Sequence, residues 1–295
     1  MTLKTHIEQS FPLLPYSQLV WDLMQHIPHI YNNRLVIKIP KSQVDTDKLQ
    51  NAFRTALQNH PVFLTKVDAN GRQTFYHPND ILHGQFHSVD FTDEGDSLII
   101  DVNGNRILGD GTSGKIIIED IAKAYRNKPL EEDDYIGFLA KYEKLKQTDK
   151  YQMHKQWLQE HFTGEYSVHP KTDLPLSNQV ESYEALFFND YTALRTSLNE
   201  VSKKYVVSLS AIISLATCLA IMDYNATDTA AITWAYEGRE KTEEQRVVGS
   251  LHRDIPLLIK KDSDKMKSFY SYLVITIFDI IMLIPGLVSF LKTMS

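Results

Sequence analysis

Apolar positions along this chain repeat at two alternating periods, and the alternation predicts interleaved helices and strands. Over Ser17–Ile27, the residues Leu19, Val20, Leu23, Met24 and Ile27 fall at helical spacing, with Ser17 placed as the cap. Tyr31–Ile39 alternates instead, which sets Leu35, Ile37 and Ile39 on one face of a strand. A second helix is expected over Asp45–Asn59, burying Leu49, Phe53, Ala56 and Leu57. It should stop at His60-Pro61, because proline disfavours the helical conformation in the residue before it. Short strands follow near Phe63–Val67 and Thr74–Tyr76, around the turn Asn70-Gly71.

Ser97–Val102 reads as a strand and Ser113–Tyr125 as a helix packing Ile116, Ile117, Ile121 and Tyr125. Asn103-Gly104 has the composition of a hairpin turn, so the strand is expected to be distorted there. Helices are expected over Tyr135–Lys146 and Lys150–Phe162, and Pro170 and Pro175 mark His169–Gln179 as a crossover. Beyond it come a strand at Tyr183–Phe188 and a helix at Tyr191–Lys204. Ser210–Met222 is almost wholly apolar and is expected to be a deeply buried helix. Thr229–Ala235 and Ile255–Ile259 read as short strands. No internal repeat, heptad pattern or low-complexity tract interrupts this order. The fold class is mixed α/β.

Composition adds limits. The 295 residues are 43% hydrophobic and 23% charged, a globular balance. A net charge of −6 supplies no global basic field for nucleic acid or anionic lipid. The single cysteine, Cys218, excludes an internal disulfide and sits in the apolar run Ile212–Met222 as a core residue. The first residues lack the apolar stretch of a secretory leader, so a cytoplasmic location is expected. Phe269–Leu291 departs from this picture: it is apolar enough in length to cross a bilayer, yet carries Asp279 and Pro285. A carboxylate near the centre of such a span would cost about 2.5–3.5 kcal/mol, and membrane association is not expected.

Several chemistry-bearing residues resolve into structural roles. His83 and His87 have i,i+4 spacing, but Pro78, Gly84 and the alternating Gln85–Asp90 stretch place them in loop and strand, where that spacing does not build a metal site. His26 and His29 flank Pro28 at a helix end. His252, beside Arg253 and Asp254, is expected at the surface; it could act as a base only if it faced a reaction site. Gly104, Gly109, Gly111 and Gly114 match neither a phosphate loop nor a dinucleotide fingerprint. No bound cofactor, nucleotide or metal is expected. Trp21, Trp157 and Trp234 read as packing anchors and Glu131–Asp134 as a solvated loop.

The most informative stretch is Leu98–Tyr125, where a strand runs into the polar turn Gly109-Asp110-Gly111-Thr112-Ser113 and then an amphipathic helix. This arrangement resembles the condensation domains of nonribosomal peptide synthetases, which share a fold with chloramphenicol acetyltransferase. Their signature at this junction is His-His-x-x-x-Asp-Gly. Aligning on Asp110-Gly111 puts Asn105 and Arg106 at the two histidine positions. Other segments are similar too: Phe11-Pro12-Leu13 with Gln18 and Trp21, Asn59-His60-Pro61-Val62-Phe63, Asp134-Tyr135, Tyr151, and Pro170 with Asp173. Ala230–Leu257 resembles the family's later region through Gly238-Arg239, Val248-Gly249 and Ile255-Pro256-Leu257. The resemblance runs from about Phe11 to Ile259.

The resemblance implies two acetyltransferase-like α/β lobes. It assigns residues 1–170 to a complete first lobe, 171–262 to a partial second lobe and 263–295 to an atypical apolar tail. The tail lacks the family's Asp-Phe-Gly-Trp-Gly segment and is expected to come from truncation or a shifted frame; a membrane tail and a divergent core segment are the alternatives. The implied reaction is amide formation between acyl groups tethered through phosphopantetheine to peptidyl or acyl carrier proteins. In the family the second histidine serves as base or orients the acceptor amine, and the aspartate is mainly structural. The Arg106 guanidinium carries no lone pair and stays protonated near neutrality. The site Asn105, Arg106, Asp110 and Gly111 is therefore expected to be catalytically inactive. A noncatalytic carrier-docking module, or an acyltransferase using Arg106 as a fixed positive charge, are the other readings.

Overall fold

The computed structural model describes residues 10–28, 30–162, 166–168, 170–171 and 192–260. The chain forms two compact units, Met1–Met153 with Ala235–Asp254, and His154–Trp234 with Ile255–Ser295. The expected crossover at His169–Gln179 lies largely outside the described residues, and the Tyr183–Phe188 strand and the Phe269–Leu291 tail lie wholly outside them.

The first unit begins with β1 (Ser10–Pro12), α1 (Pro15–Met24), β2 (Asn32–Pro40) and α2 (Thr46–Asn59). It continues with β3 (Thr65–Val67), β4 (Arg72–Phe75), β5 (His87–Glu94), β6 (Ser97–Asn105), α3 (Gly111–Tyr125) and α4 (Tyr135–Lys146). Two three-stranded antiparallel sheets result, in the orders β1-β4-β3 and β2-β6-β5. Helix starts follow local chemistry. Asp45, Asp110 and Asp134 each accept a backbone N–H three residues on, satisfying a donor the helix cannot use internally. The buried stripe of α2 is Leu49, Ala52, Phe53, Ala56 and Leu57, and His60 closes the helix before Pro61. Leu49, Phe53 and Leu57 join a core with Phe63, Phe75, Leu98, Ile100, Ile116, Tyr135 and Leu139.

Two local expectations are corrected. Helix α1 starts at Pro15, whose fixed φ suits the first turn, so Ser17 is an interior residue rather than a cap. Its hydroxyl donates instead to the Ile107 carbonyl at 3.3 Å. Asn103-Gly104 does not turn either. Asn103 pairs with Arg34 and Ser88, and Gly104 with Asn33 and His87, so β6 continues to Asn105. As the middle strand it has ladder partners on both sides, and these outweigh the local turn preference.

The second unit begins within α5 (Asp149–His161) and contains α6 (Thr192–Tyr205) and α7 (Leu209–Asn225). Strands β7 (Thr229–Tyr236) and β8 (Arg253–Lys260) pair as a two-stranded sheet. Helix α7 is capped by Ser208, whose hydroxyl accepts the Ala211 N–H. Its expected deep burial is only half met. Ala211, Cys218, Ile221 and Met222 pack with Ala230 and Ile259, while Ile213 is 53% and Leu219 41% exposed. One face meets the strands, so an all-round apolar sequence still leaves a second face uncovered among the described residues. None of the described helices is by itself long and apolar enough to cross a membrane.

Candidate functional site

Strand β6 delivers Asn105 to the edge of a short 3-10 turn, Arg106–Leu108, and Gly109 then leads into α3. The Asn105 side chain is buried and fully engaged. Its Nδ2 donates to the Ile30 carbonyl at 3.0 Å and to Asn32 Oδ1 at 2.6 Å, and its Oδ1 accepts the Ile107 N–H at 3.0 Å. Asn105 thus ties the segment before β2 to the turn at Ile107, and both Nδ2 protons are already used.

Asp110 is the anchor of the junction. Its carboxylate accepts the Ser113 N–H at 2.9 Å and the Leu251 N–H at 3.1 Å. Arg239 closes on it with a two-pronged fork, Nη1 to Oδ2 at 2.9 Å and Nη2 to Oδ1 at 3.0 Å. Burial would push the Asp110 carboxyl up, but the Arg239 guanidinium and the Ser113 amide outweigh it and hold the group below the ordinary carboxylate range. The Arg239 side chain is itself fully buried, and it also donates to the Val247 carbonyl from Nε at 3.2 Å and Nη2 at 2.9 Å.

Ser113 and Gly249 complete the knot. Ser113 Oγ accepts from the Gly249 N–H at 3.0 Å and from Arg239 Nη2 at 3.0 Å. Its single proton is directed between the Gly249 carbonyl, at 2.8 Å, and Asp110 Oδ1, at 2.9 Å. The glycines have physical reasons to be there. Gly238 sits at φ +76°, and a Cβ on it would overlap the Leu251 carbonyl. A Cβ on Gly249 would come within 2.6 Å of the Tyr135 ring. Gly111 faces open space and contributes the first helical residue of α3, with no side-chain role.

Arg106, next to Asn105, turns the other way. It is exposed, its Nη1 lies 3.4 Å from the Tyr16 hydroxyl, and its guanidinium lies 5.6 Å from the centre of the Tyr31 ring. Tyr31 adopts φ +61°, unusual for a bulky residue, and its carbonyl accepts the Arg106 N–H at 3.2 Å. His252 also comes here: its ring packs on Tyr16 with centroids 3.9 Å apart. His252, expected at the surface, is half-buried and packs on Tyr16, the residue bonded to Arg106. Tyr16 and Tyr31 were invisible as site residues, because no local pattern announces that either ring meets position 106.

A buried ionic network, also unannounced, lies under the same elements. His60 Nδ1 bonds Asp133 Oδ2 at 2.9 Å, and its Nε2 lies 3.3 Å from Asp120 Oδ2. Asp133 also accepts the N–H groups of Tyr135 and Val248, so it fastens the 246–249 segment. Burial raises the Asp133 carboxyl above its usual range, with His60 and the two amides opposing it. Arg246 pairs with both Asp120 and Glu119, and Lys123 lies 3.5 Å from Asp120.

The remaining histidines have separate structural settings. His83 is held between Asp80, at 3.1 Å, and Asp90, at 3.0 Å, and these bonds raise its pKa. His87 is buried, its pKa is lowered by that burial, and its Nε2 bonds the Ile81 carbonyl at 2.8 Å. Among the described residues, no group of three or more His, Cys, Asp and Glu side chains is arranged to hold a metal ion.

Comparison with known proteins places this geometry. The family profile described as Condensation domain matches residues 80–277, more than half of the chain. Tyrocidine synthase 2 of Brevibacillus parabrevis is 27% identical over 183 residues, which cover 60% of this chain and 5% of that protein's length. The condensation domain of the Monacolin K polyketide synthase superposes with a TM-score of 0.70 at 17% identity, covering 96% of this chain and 76% of that one. The epimerization domain from the third module of tyrocidine synthetase B gives 0.70 at 17% identity, with 94% and 74% coverage. The X-domain complex with OxyB from teicoplanin biosynthesis gives 0.69 at 14% identity, with 96% and 72% coverage. The structural likenesses establish the chloramphenicol acetyltransferase-like α/β fold, and with the profile match the chain belongs to the Condensation domain family.

Proposed function

We propose that this chain is a condensation-family domain that receives carrier-tethered acyl groups without itself forming the amide bond. The observation that carries the reading is the pair at the positions aligned with the family's histidines. Asn105 is an amide with no basic nitrogen, bonded to Ile30, Asn32 and Ile107, and Arg106 presents a guanidinium with no lone pair. Asp110 supplies no alternative base, because its carboxylate is saturated by Arg239, Ser113 and Leu251. The family supports carrier proteins bearing phosphopantetheine-linked acyl groups as the partners, and docking as the retained activity.

The test is titration of the full chain with a peptidyl carrier protein in its apo, phosphopantetheinylated and aminoacyl-loaded forms. Saturable binding that tightens on loading is expected. No binding of any form would remove the docking role. A second reading is favoured by the fixed position of the Arg106 charge between Tyr16 and Tyr31: an acyltransferase in which that charge stabilises the developing oxyanion. On that reading wild type transfers acyl groups and Arg106→Ala does not.

A further inference from the structure

Four of the eight arginines in the first unit hold carboxylates. Arg34 pairs with Asp101, Arg54 with Asp80, Arg239 with Asp110 and Arg246 with Asp120. The Arg106 guanidinium differs: among the described residues its contacts are aromatic, the Tyr16 hydroxyl and the Tyr31 ring. It is nevertheless well placed. Its backbone N–H is tied to Tyr31, whose left-handed conformation brings that ring beneath it, and the neighbouring Asn105 locks the turn. The Tyr16 hydroxyl accepts from Arg106 and keeps its own proton for another partner. His252 packs on the Tyr16 ring, with centroids 3.9 Å apart, and its Nδ1 lies 3.5 Å from the Ser250 hydroxyl.

We propose that Arg106, the Tyr16 hydroxyl and His252 form a binding site for an oxyanion, a phosphoryl or carboxylate group, with Tyr31 as the platform that orients the guanidinium. A planar guanidinium fork presents parallel N–H donors to two oxygens of such a group, and a phenol and an imidazole can supply further donors beside it. The inference deepens the reading of Arg106 as a ligand-contacting rather than proton-transferring residue and rests on it for the placement of the site. A phosphoryl group and a carboxylate share this chemistry, and the experiment separates them.

The test is calorimetric titration of the full chain with inorganic phosphate and, separately, with acetate. Three variants accompany it: Arg106→Gln, His252→Gln, and Arg126→Gln as a control on an exposed arginine at the end of α3. Loss of one charge-assisted fork predicts about tenfold weaker binding in Arg106→Gln. His252→Gln should weaken binding less, and Arg126→Gln should match wild type. Phosphate binding with this pattern assigns a phosphoryl ligand; acetate binding with the same pattern assigns a carboxylate and supports the site equally. Equal affinity in wild type and Arg106→Gln, or no binding of either anion, overturns the proposal. Unchanged melting of Arg106→Gln shows that any loss is not a loss of fold. Amide formation by wild type would overturn the noncatalytic reading while leaving this titration pattern untouched, so the two failures are distinguishable.

Discussion

Replacing Arg239 with alanine tests whether the Asp110 knot holds this junction together. The substitution removes both prongs on Asp110, both bonds to the Val247 carbonyl and the bond to Ser113. It leaves a carboxylate whose side chain is 9% exposed without its cation. Breaking a buried pair from one side costs about 3–5 kcal/mol. Asp110 would keep the Ser113 and Leu251 amides, so the lower end, about 3 kcal/mol, is expected. The pH dependence gives a sharper signature. The folded Asp110 carboxyl titrates below its unfolded value, so its contribution is present above about pH 4 and is lost as pH falls through the folded pKa. In Arg239→Ala the carboxyl, buried without a guanidinium, shifts upward. The stability deficit should therefore be largest near pH 7 and shrink toward pH 4. Urea unfolding followed by tryptophan fluorescence at both pH values measures it. A deficit below about 1 kcal/mol, or one independent of pH, would refute the assignment of Arg239 as the anchor.

Other expectations follow from the same contacts. Gly249→Ala should destabilise the fold by about 1–3 kcal/mol, because the new Cβ meets the Tyr135 ring; a neutral result in urea unfolding would show that the ring can move aside. NMR titration should find His83 changing charge above, and His87 below, the ordinary imidazole value, since carboxylates flank one and burial surrounds the other. The His83 bridge accordingly stabilises the fold below the unfolded imidazole pKa and fades as pH rises through the folded one; coincident titrations would contradict both settings. Cys218 is fully buried and its thiol is pushed up to about 11 by that burial, so it should resist a disulfide reagent in native protein and react on denaturation. Rapid native labelling would show that the second unit opens readily.

Much of the element order was legible because helices and strands here announce themselves locally. The α2 stripe and its stop at His60-Pro61, and the α4 start at Tyr135, depend on residues within a few positions. Where reading failed, a distant partner decided. Asn103-Gly104 carries turn composition, but β2 and β5 on either side keep it in strand. Ser17 has the chemistry of a cap, yet Pro15 starts the helix and the hydroxyl finds Ile107. At the site, the Asp110 turn was readable, whereas its partner Arg239 lies 129 residues away. Gly238-Arg239 and Val248-Gly249 stood out only by family likeness. The structure supplies their reason: the first pair delivers the fork to Asp110, and the second threads past Asp133 and Ser113. Tyr31 carried no such hint, and His252 read as a surface residue, because what matters is which ring each faces.

The most direct test of the central claim is an amide-forming assay with a donor and an acceptor each loaded as aminoacyl thioesters on peptidyl carrier proteins, with product read by mass spectrometry. A condensation domain known to join the same pair serves as the positive control. The account predicts that this chain gives no amide product above the enzyme-free background while still binding the loaded carriers, because neither Asn105 nor Arg106 can take a proton from the attacking amine. Amide formation above background by the wild-type chain would contradict it.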